Sequence, residues 1–324
     1  MKVLVCGGAG YIGAHMVRWL NQAGHEVHVF DNLSTGHRVA VTGNPLHVGD
    51  LLDPAAIDRA LSASGAEVVM HFCAKALVGE SVTDPYSYYD NNLVGTLNLL
   101  KVMRKREVHR LVFSSTCAIF GVPEADRIGE DHPKAPINPY GASKWMCERL
   151  LADAVAAYEL DSVALRYFNA AGASPHGGIG ESHDPETHLI PNALNAALGS
   201  APALRVLGQD YPTADGTCIR DYVHVDDLAQ AHACAMDFLL ANSGAHVFNL
   251  GSESGASVLE VIESVERVTG RSVPRVNAPR RPGDPATLIA DSTKARELLG
   301  WNPQYQSLDA IVETAAAWHR ARRY

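Results

Sequence analysis

Tyr140 and Lys144 stand four residues apart, a spacing that places both side chains on one face of a helix. A tyrosine with an ordinary pKa of about 10 is a poor base at neutral pH. An ammonium group beside it favours the phenolate, so the pair can take and return a proton at one ligand oxygen. Ser114, Ser115 and Thr116 form a hydroxyl cluster that closes the apolar run Leu111-Val112-Phe113. Any amphipathic helix turn can carry a Tyr-x-x-x-Lys match, so its meaning rests on the elements that position it.

Those elements begin at the N-terminus. Val3-Leu4-Val5-Cys6 is wholly apolar, as a central parallel strand buried on both faces must be. It leads into Gly7-Gly8-Ala9-Gly10-Tyr11-Ile12-Gly13 and then a helix-like segment through Ala23. Glycines so placed allow a tight turn, a close backbone approach to a pyrophosphate, and close helix–sheet packing. The helix end then offers N–H groups to the phosphates, which predicts a dinucleotide cofactor. The next apolar run, Val27 to Phe30, ends at Asp31. A carboxylate there can accept hydrogen bonds from both adenosine ribose hydroxyls and repels a 2′-phosphate, which favours NAD over NADP even with His37 and Arg38 close by.

The alternation continues. Strands are expected at Leu46–Val48, Glu67–Phe72, Leu111–Ser115 and Ser162–Tyr167, and helices from near Pro54, over Pro85–Arg106 and over Tyr140–Tyr158. Six strands with intervening helices predict an α/β fold, a doubly wound parallel sheet of the Rossmann type, with ligands at the carboxyl ends of the strands. Ser114 to Thr116 and Asn169 fall at such ends. The character changes at about Ala173, where Ser174 to Gly180 reads as a loop. Residues 1–173 are therefore expected to form the NAD-binding domain. Residues 174–324 are expected to form a smaller, interleaved substrate lobe, some of whose segments return to the first domain, since Val247-Phe248-Asn249-Leu250 reads as another core strand.

Composition narrows the class. Hydrophobic residues make up 47% of the 324-residue chain and charged ones 19%, which suits a folded globular enzyme or binding protein. The net charge of −9 argues against a nucleic-acid partner. Six scattered cysteines without a C-x-x-C pair point to reduced thiols, with no disulfide framework and no zinc site. The 15 histidines show no metal-ligand spacing, so no metal is expected. With neither a signal peptide at the start nor an apolar stretch of spanning length, the expected setting is cytoplasmic and away from membranes.

A dinucleotide turn, a hydroxyl cluster after the fifth strand and Tyr140/Lys144 opening the next helix together resemble the extended short-chain dehydrogenase/reductase family. Within it, several segments look like those of the UDP-glucose/UDP-galactose 4-epimerases. They are Cys6 to Gly13, His71-Phe72, Val78 to Ser81, Tyr88 to Asn92, Arg166 to Asn169, Asp210 to Thr217 and Arg220 to Val225. The resemblance runs over nearly the whole chain. It implies a tightly bound NAD, a UDP-sugar substrate and a homodimer formed through the helices at Pro85–Arg106 and Tyr140–Tyr158. The implied reaction is C4 oxidation, rotation of a 4-keto sugar and re-reduction on its other face. Tyr140 would move the proton, Lys144 would lower its pKa and hold the nicotinamide ribose, and Thr116, in the family's serine position, would bind the same oxygen.

By the same resemblance, Gly7, Gly10, Tyr11, Ile12, Gly13, Asp31, Asn32, Ser34, Thr35, Asp50 and Leu51 would contact the cofactor, as would Phe72, Ala74, Lys75, Asn91, Ser114, Tyr167 and Phe168. Arg220 and Arg281 would face the diphosphate, Asp284 the nucleotide ribose, and Asn169 the phosphate or sugar. His188, Leu189, Arg205, Leu207 and Tyr222 would contact the rest of the nucleotide sugar, and Leu288, intermediate in size, would set the room beside the sugar.

Four other readings compete. Nucleotide-sugar dehydratases and decarboxylases need an acidic pair or a glutamate directly after the strand-five threonine, where this chain has Cys117 and Ala118. An NADPH-dependent reductase is disfavoured by Asp31, and a non-catalytic NAD sensor by the intact Thr116, Tyr140 and Lys144. A 4-epimerase acting mainly on UDP-N-acetylhexosamines or UDP-pentoses is the remaining alternative.

Overall fold

A computed structural model of the chain describes residues 1–281 and 284–324. The first apolar run forms strand β1 (Lys2–Cys6), and the glycine turn carries it into helix α1 (Tyr11–Gln22). Then come β2 (Glu26–Asp31), β3 (Leu46–Val48), α2 (Pro54–Ser64) and β4 (Val68–His71). Helix α2 shows why such boundaries are legible: Asp53 caps it by accepting from the Ala55 N–H, Pro54 opens it and left-handed Gly65 ends it.

The run expected as one helix over Pro85–Arg106 is divided. After α3 (Val78–Thr83) come α4 (Pro85–Tyr88), a π-helical turn over Tyr89–Val94, and α5 (Gly95–Lys105). The wider turn seats Asn92 in the interior, where it is 2% exposed. β5 (Arg110–Thr116), α6 (Pro139–Ala157) and β6 (Asp161–Tyr167) follow.

All these strands pair in parallel, in the spatial order β3-β2-β1-β4-β5-β6. The winding reverses between β1 and β4, and a crevice over the carboxyl ends belongs at that reversal. Beyond β6 the chain makes β7 (Asn169–Ala171), α7 (Leu189–Leu198), β8 (Leu204–Leu207), β9 (Ile219–Arg220), β10 (Tyr222–His224) and α8 (Val225–Ala241). It then returns as β11 (Ala245–Leu250), which pairs with β6 as the seventh strand of the sheet. The core strand expected around Val247–Leu250 is this one.

The remaining segments are β12 (Ala256–Ser257), α9 (Val258–Thr269), β13 (Arg275–Ala278), β14 (Thr287–Leu288), α10 (Thr293–Leu299) and α11 (Leu308–Arg320). They build small sheets, β12-β9-β14 and β13-β8, beside the β10-β7 pair. Apolar clusters cover both faces of the large sheet, and a third core lies between α7, α9 and α11. Among the described residues no helix is long and apolar enough to cross a membrane.

Candidate active site

The turn between β1 and α1 is held by its own backbone: the Gly7 N–H donates to the Phe30 carbonyl (2.7 Å) and the Gly10 N–H to the Gly7 carbonyl (3.2 Å). A Cβ on Gly13 would sit 2.1 Å from the Gly7 oxygen, so only hydrogen lets α1 approach this closely. No side chain caps α1, and its first turn fits an anionic diphosphate. Tyr11 and Ile12 occupy that turn, and the Tyr11 hydroxyl donates to the Gly172 carbonyl (2.6 Å).

Asp31, at the end of β2, is 5% exposed and accepts from the Ala9 N–H (2.9 Å) and the Leu33 N–H (2.8 Å). Burial raises its pKa while these two donors oppose the shift. A carboxylate has about four acceptor positions, so it can still take a diol. Asn32, Ser34 and Thr35 are exposed beyond it, and Asp50 accepts from the Asn32 side chain (2.8 Å). Leu51 is buried beside them. His37 is turned away, bonded to the Ser182 carbonyl (3.1 Å) and stacked on Tyr324. Together the uncapped helix end, the glycine cradle and the ribose acceptor fit NAD.

Phe72, Ala74 and Lys75 follow β4. The ammonium of Lys75 donates to Ser87 (3.1 Å) and pairs with Glu80 (3.7 Å), and its backbone N–H donates to Asn92 Oδ1 (2.9 Å). Asn91 donates to the same Asn92 oxygen (2.9 Å). Sequence reasoning missed Asn92 as the hub: it also donates to the Lys75 carbonyl (3.1 Å) and to Ser143 Oγ (3.0 Å), linking this loop to α6.

Helix α6 starts as its sequence dictates, with Pro139 in the first turn and Asn138 Oδ1 accepting from the Gly141 N–H (2.8 Å). A Cβ on Gly141 would lie 2.4 Å from the Ala118 carbonyl oxygen, so glycine lets α6 rest on the turn after β5. That contact brings Tyr140 to Thr116. Burial pushes the Tyr140 phenol up to about 12, and the Thr116 hydroxyl works against this. Thr116 Oγ1 accepts from the Ala118 N–H (3.1 Å), which leaves its own proton for a ligand oxygen.

Lys144 lies deep in the fold. It is 2% exposed, its ammonium donates to the Ser114 carbonyl (2.7 Å), and it lies 4.7 Å from the Phe113 ring centroid. The reason is depth: a buried ammonium must be hydrogen-bonded, and a strand carbonyl supplies the partner. Burial also lowers its own pKa to about 8. The Ser114 hydroxyl is bonded to the Tyr167 hydroxyl, and Phe168 packs into a small apolar cluster with Ile119, Phe120 and Ile128.

A buried ion pair fixes this corner. Glu148 of α6 takes Arg166 of β6 (2.6 Å) and Ser115 of β5 (2.5 Å), with both charged side chains 3% exposed. Arg166 interrupts the apolar run of β6, a signal the sequence does carry, whereas Glu148 shares α6 with Lys144, Arg149 and Asp153 and does not stand out. On the other side of the crevice, Arg220 is paired with Asp284 and donates to the Pro285 carbonyl (2.8 Å). Asn169 donates to the Asp221 carbonyl (3.0 Å), Tyr222 is buried, and Leu288 lies on β14 in register with Arg220. Arg205 and Arg281 are exposed, Leu207 is half-buried, and Leu189 opens α7.

Residues 3–251 match the family described as "NAD dependent epimerase/dehydratase family". The chain belongs to that family. The UDP-glucose 4-epimerase of Halalkalibacterium halodurans is 49% identical over 320 residues, covering 99% of this chain and 96% of its own. Among solved structures, the UDP-glucose 4-epimerase of Brucella ovis in complex with NAD is 50% identical, with a TM-score of 0.95 and 97% of each chain covered. That of Bifidobacterium longum, in complex with NAD+ and UDP, is 39% identical, with a TM-score of 0.95 and 99% of each chain covered.

Four metal-ligand side chains gather in the loop that leads into α7 of this epimerase/dehydratase family member. No linear metal-ligand spacing stands out, yet Glu181, His183, Glu186 and His188 each bring one ligand atom within 4.8 Å of the others. His188, the residue before α7, has its Nδ1 bonded to Glu181 and its side chain half exposed. Burial alone would raise the Glu181 pKa and lower that of His183, but their mutual charges lower the carboxyl and raise the imidazole.

Proposed function

We propose that the chain interconverts UDP-glucose and UDP-galactose by inverting C4 of the hexose, with NAD as resident cofactor. The observation that carries this reading is the end of β5. Thr116 and Tyr140 meet there, while the adjoining turn offers only Cys117 and Ala118 and no carboxyl to drive elimination or decarboxylation. NAD, when bound, supplies the acceptor and donor of hydride. The chain's own residues bind, orient and move the proton. Tyr140 Oη takes the proton of the C4 hydroxyl and returns it to the same oxygen, and Thr116 donates a hydrogen bond to that oxygen in both directions. Asp31 and Lys144 would hold the cofactor's two riboses, and the uncapped first turn of α1 its diphosphate. Arg220 and Arg281 would hold the UDP diphosphate, where a planar guanidinium suits paired oxygens, with Asp284 at the nucleotide ribose.

Residues 1–173 together with β11 would carry the cofactor, and the rest of 174–324 the nucleotide sugar. Interconverting UDP-glucose and UDP-galactose would place the chain in galactose metabolism, and six free thiols suit a reducing, cytoplasmic setting. A homodimer through α3 to α6 is supported by exposed apolar side chains there: Val82 (62%), Tyr86 (80%), Val94 (40%) and Met146 (43%).

Purified protein incubated with UDP-galactose and followed by NMR should yield UDP-glucose without net accumulation of reduced nicotinamide. A product that has lost water, or stoichiometric cofactor consumption, would refute the reading.

A further inference from the structure

The Glu181–His188 segment is the one gathering of metal-ligand side chains among the described residues, and the C4 chemistry makes no use of it. We propose that it binds one divalent transition-metal ion of the zinc class, through carboxylate oxygens of Glu181 and Glu186 and Nδ1 of His183 and His188. The four ligand atoms lie within 4.8 Å of one another, and the two edges at His183 Nδ1, 3.2 Å to Glu181 Oε1 and 3.8 Å to Glu186 Oε2, are close to those of a coordination tetrahedron. Bonds of about 2.0–2.2 Å in tetrahedral geometry separate ligand atoms by about 3.4 Å. The Glu181–His188 contact is shorter and must open. His188 can withdraw because its side chain is half exposed.

A second observation points to a ligand. The Glu186 side chain is only 10% exposed, and its Oε2 faces the group with no hydrogen-bond partner. Its other oxygen is fixed by the N–H groups of Thr187 (2.8 Å) and His188 (2.9 Å), an outer support of the kind that aims a ligand. Two imidazoles with two carboxylates suit zinc rather than magnesium or calcium, which take all-oxygen sites.

The ion would be structural. Ser182 holds His37, the Glu181 carbonyl accepts from the Trp318 indole (2.7 Å), and the His183 ring meets Tyr11 edge-on, 6.3 Å between centroids. Clamping residues 181–188 therefore ties the second lobe to the first turn of α1.

The test uses the holoenzyme, chelator-treated and then dialysed against zinc. One zinc per chain should be retained, the thermal midpoint should rise with zinc, and X-ray absorption should show a four-coordinate N/O shell containing imidazole. Glu186→Gln and His183→Gln, each checked by circular dichroism, should weaken zinc binding at least about tenfold and abolish the thermal shift. No retained zinc, equal retention in the folded variants, or an absorption spectrum without imidazole would overturn the proposal and leave an ion-pair network alone. Because the readouts are metal content and stability, failure here leaves the C4-inversion reading intact.

Discussion

A methyl group on Gly141 would lie 2.4 Å from the Ala118 carbonyl oxygen, and both partners are backbone, so no rotamer change can relieve the clash. An ordinary carbon–oxygen contact needs α6 and the Thr116–Ala118 turn to separate by about 1 Å, the scale of misplacement that costs a reaction about a hundredfold. Gly141→Ala should therefore lower kcat about a hundredfold, because Tyr140 precedes it in the chain and moves with the helix. Overpacking should also reduce stability by about 1–3 kcal/mol. NAD retention should persist, since Asp31 and the Gly7–Gly13 turn take no part in the contact. Gly129→Ala is the control: nothing lies within 4 Å of its added Cβ. The assay is turnover of UDP-galactose in the folded variant, with bound NAD measured on the same sample. A folded Gly141→Ala protein that turns over like the parent would show that this contact does not position Tyr140.

Tyr140→Phe should keep bound NAD and lower kcat by about 10²–10⁴-fold, measured by the same assay. Glu148→Gln should destabilise the fold by about 3–5 kcal/mol in urea unfolding, because it leaves the Arg166 guanidinium buried without its carboxylate. Lys144→Met separates function from stability. The folded lysine has a pKa near 8 against an ordinary 10.5, so the native state gives up this proton more readily than the unfolded chain. Below pH 8 that costs the parent about 3 kcal/mol, and the cost fades as pH rises toward 10.5. Relative to the parent, the methionine variant should thus gain most stability at neutral pH and lose the advantage near pH 10.5, while its NAD binding and turnover fall. Urea titrations at three pH values check the slope, and a constant stability difference would contradict the buried-ammonium assignment.

The sequence by itself determined the large sheet and the cofactor turn. Strands such as β1 and β4 are continuous apolar runs, and the Gly7–Gly13 turn, Asp31, and the Asn138-Pro139 start of α6 are local signals readable over a few residues. Tyr140 and Lys144 could be named in advance from their spacing at the start of a helix, and Thr116 from its place in the family resemblance. Only the tertiary structure decided which way the Lys144 ammonium points, since that depends on the Ser114 carbonyl 30 residues away. It alone seated Asn92 inside a π turn, joined Glu148 to Arg166 and Ser115, and put β11 beside β6. The short strands β7, β9, β10, β12 and β14 span two or three residues each, too few for a period to register. The Glu181–His188 group likewise emerges only when an irregular loop folds back on itself, because without a helix or strand to set a repeat, spacing along the chain says nothing about distance in space.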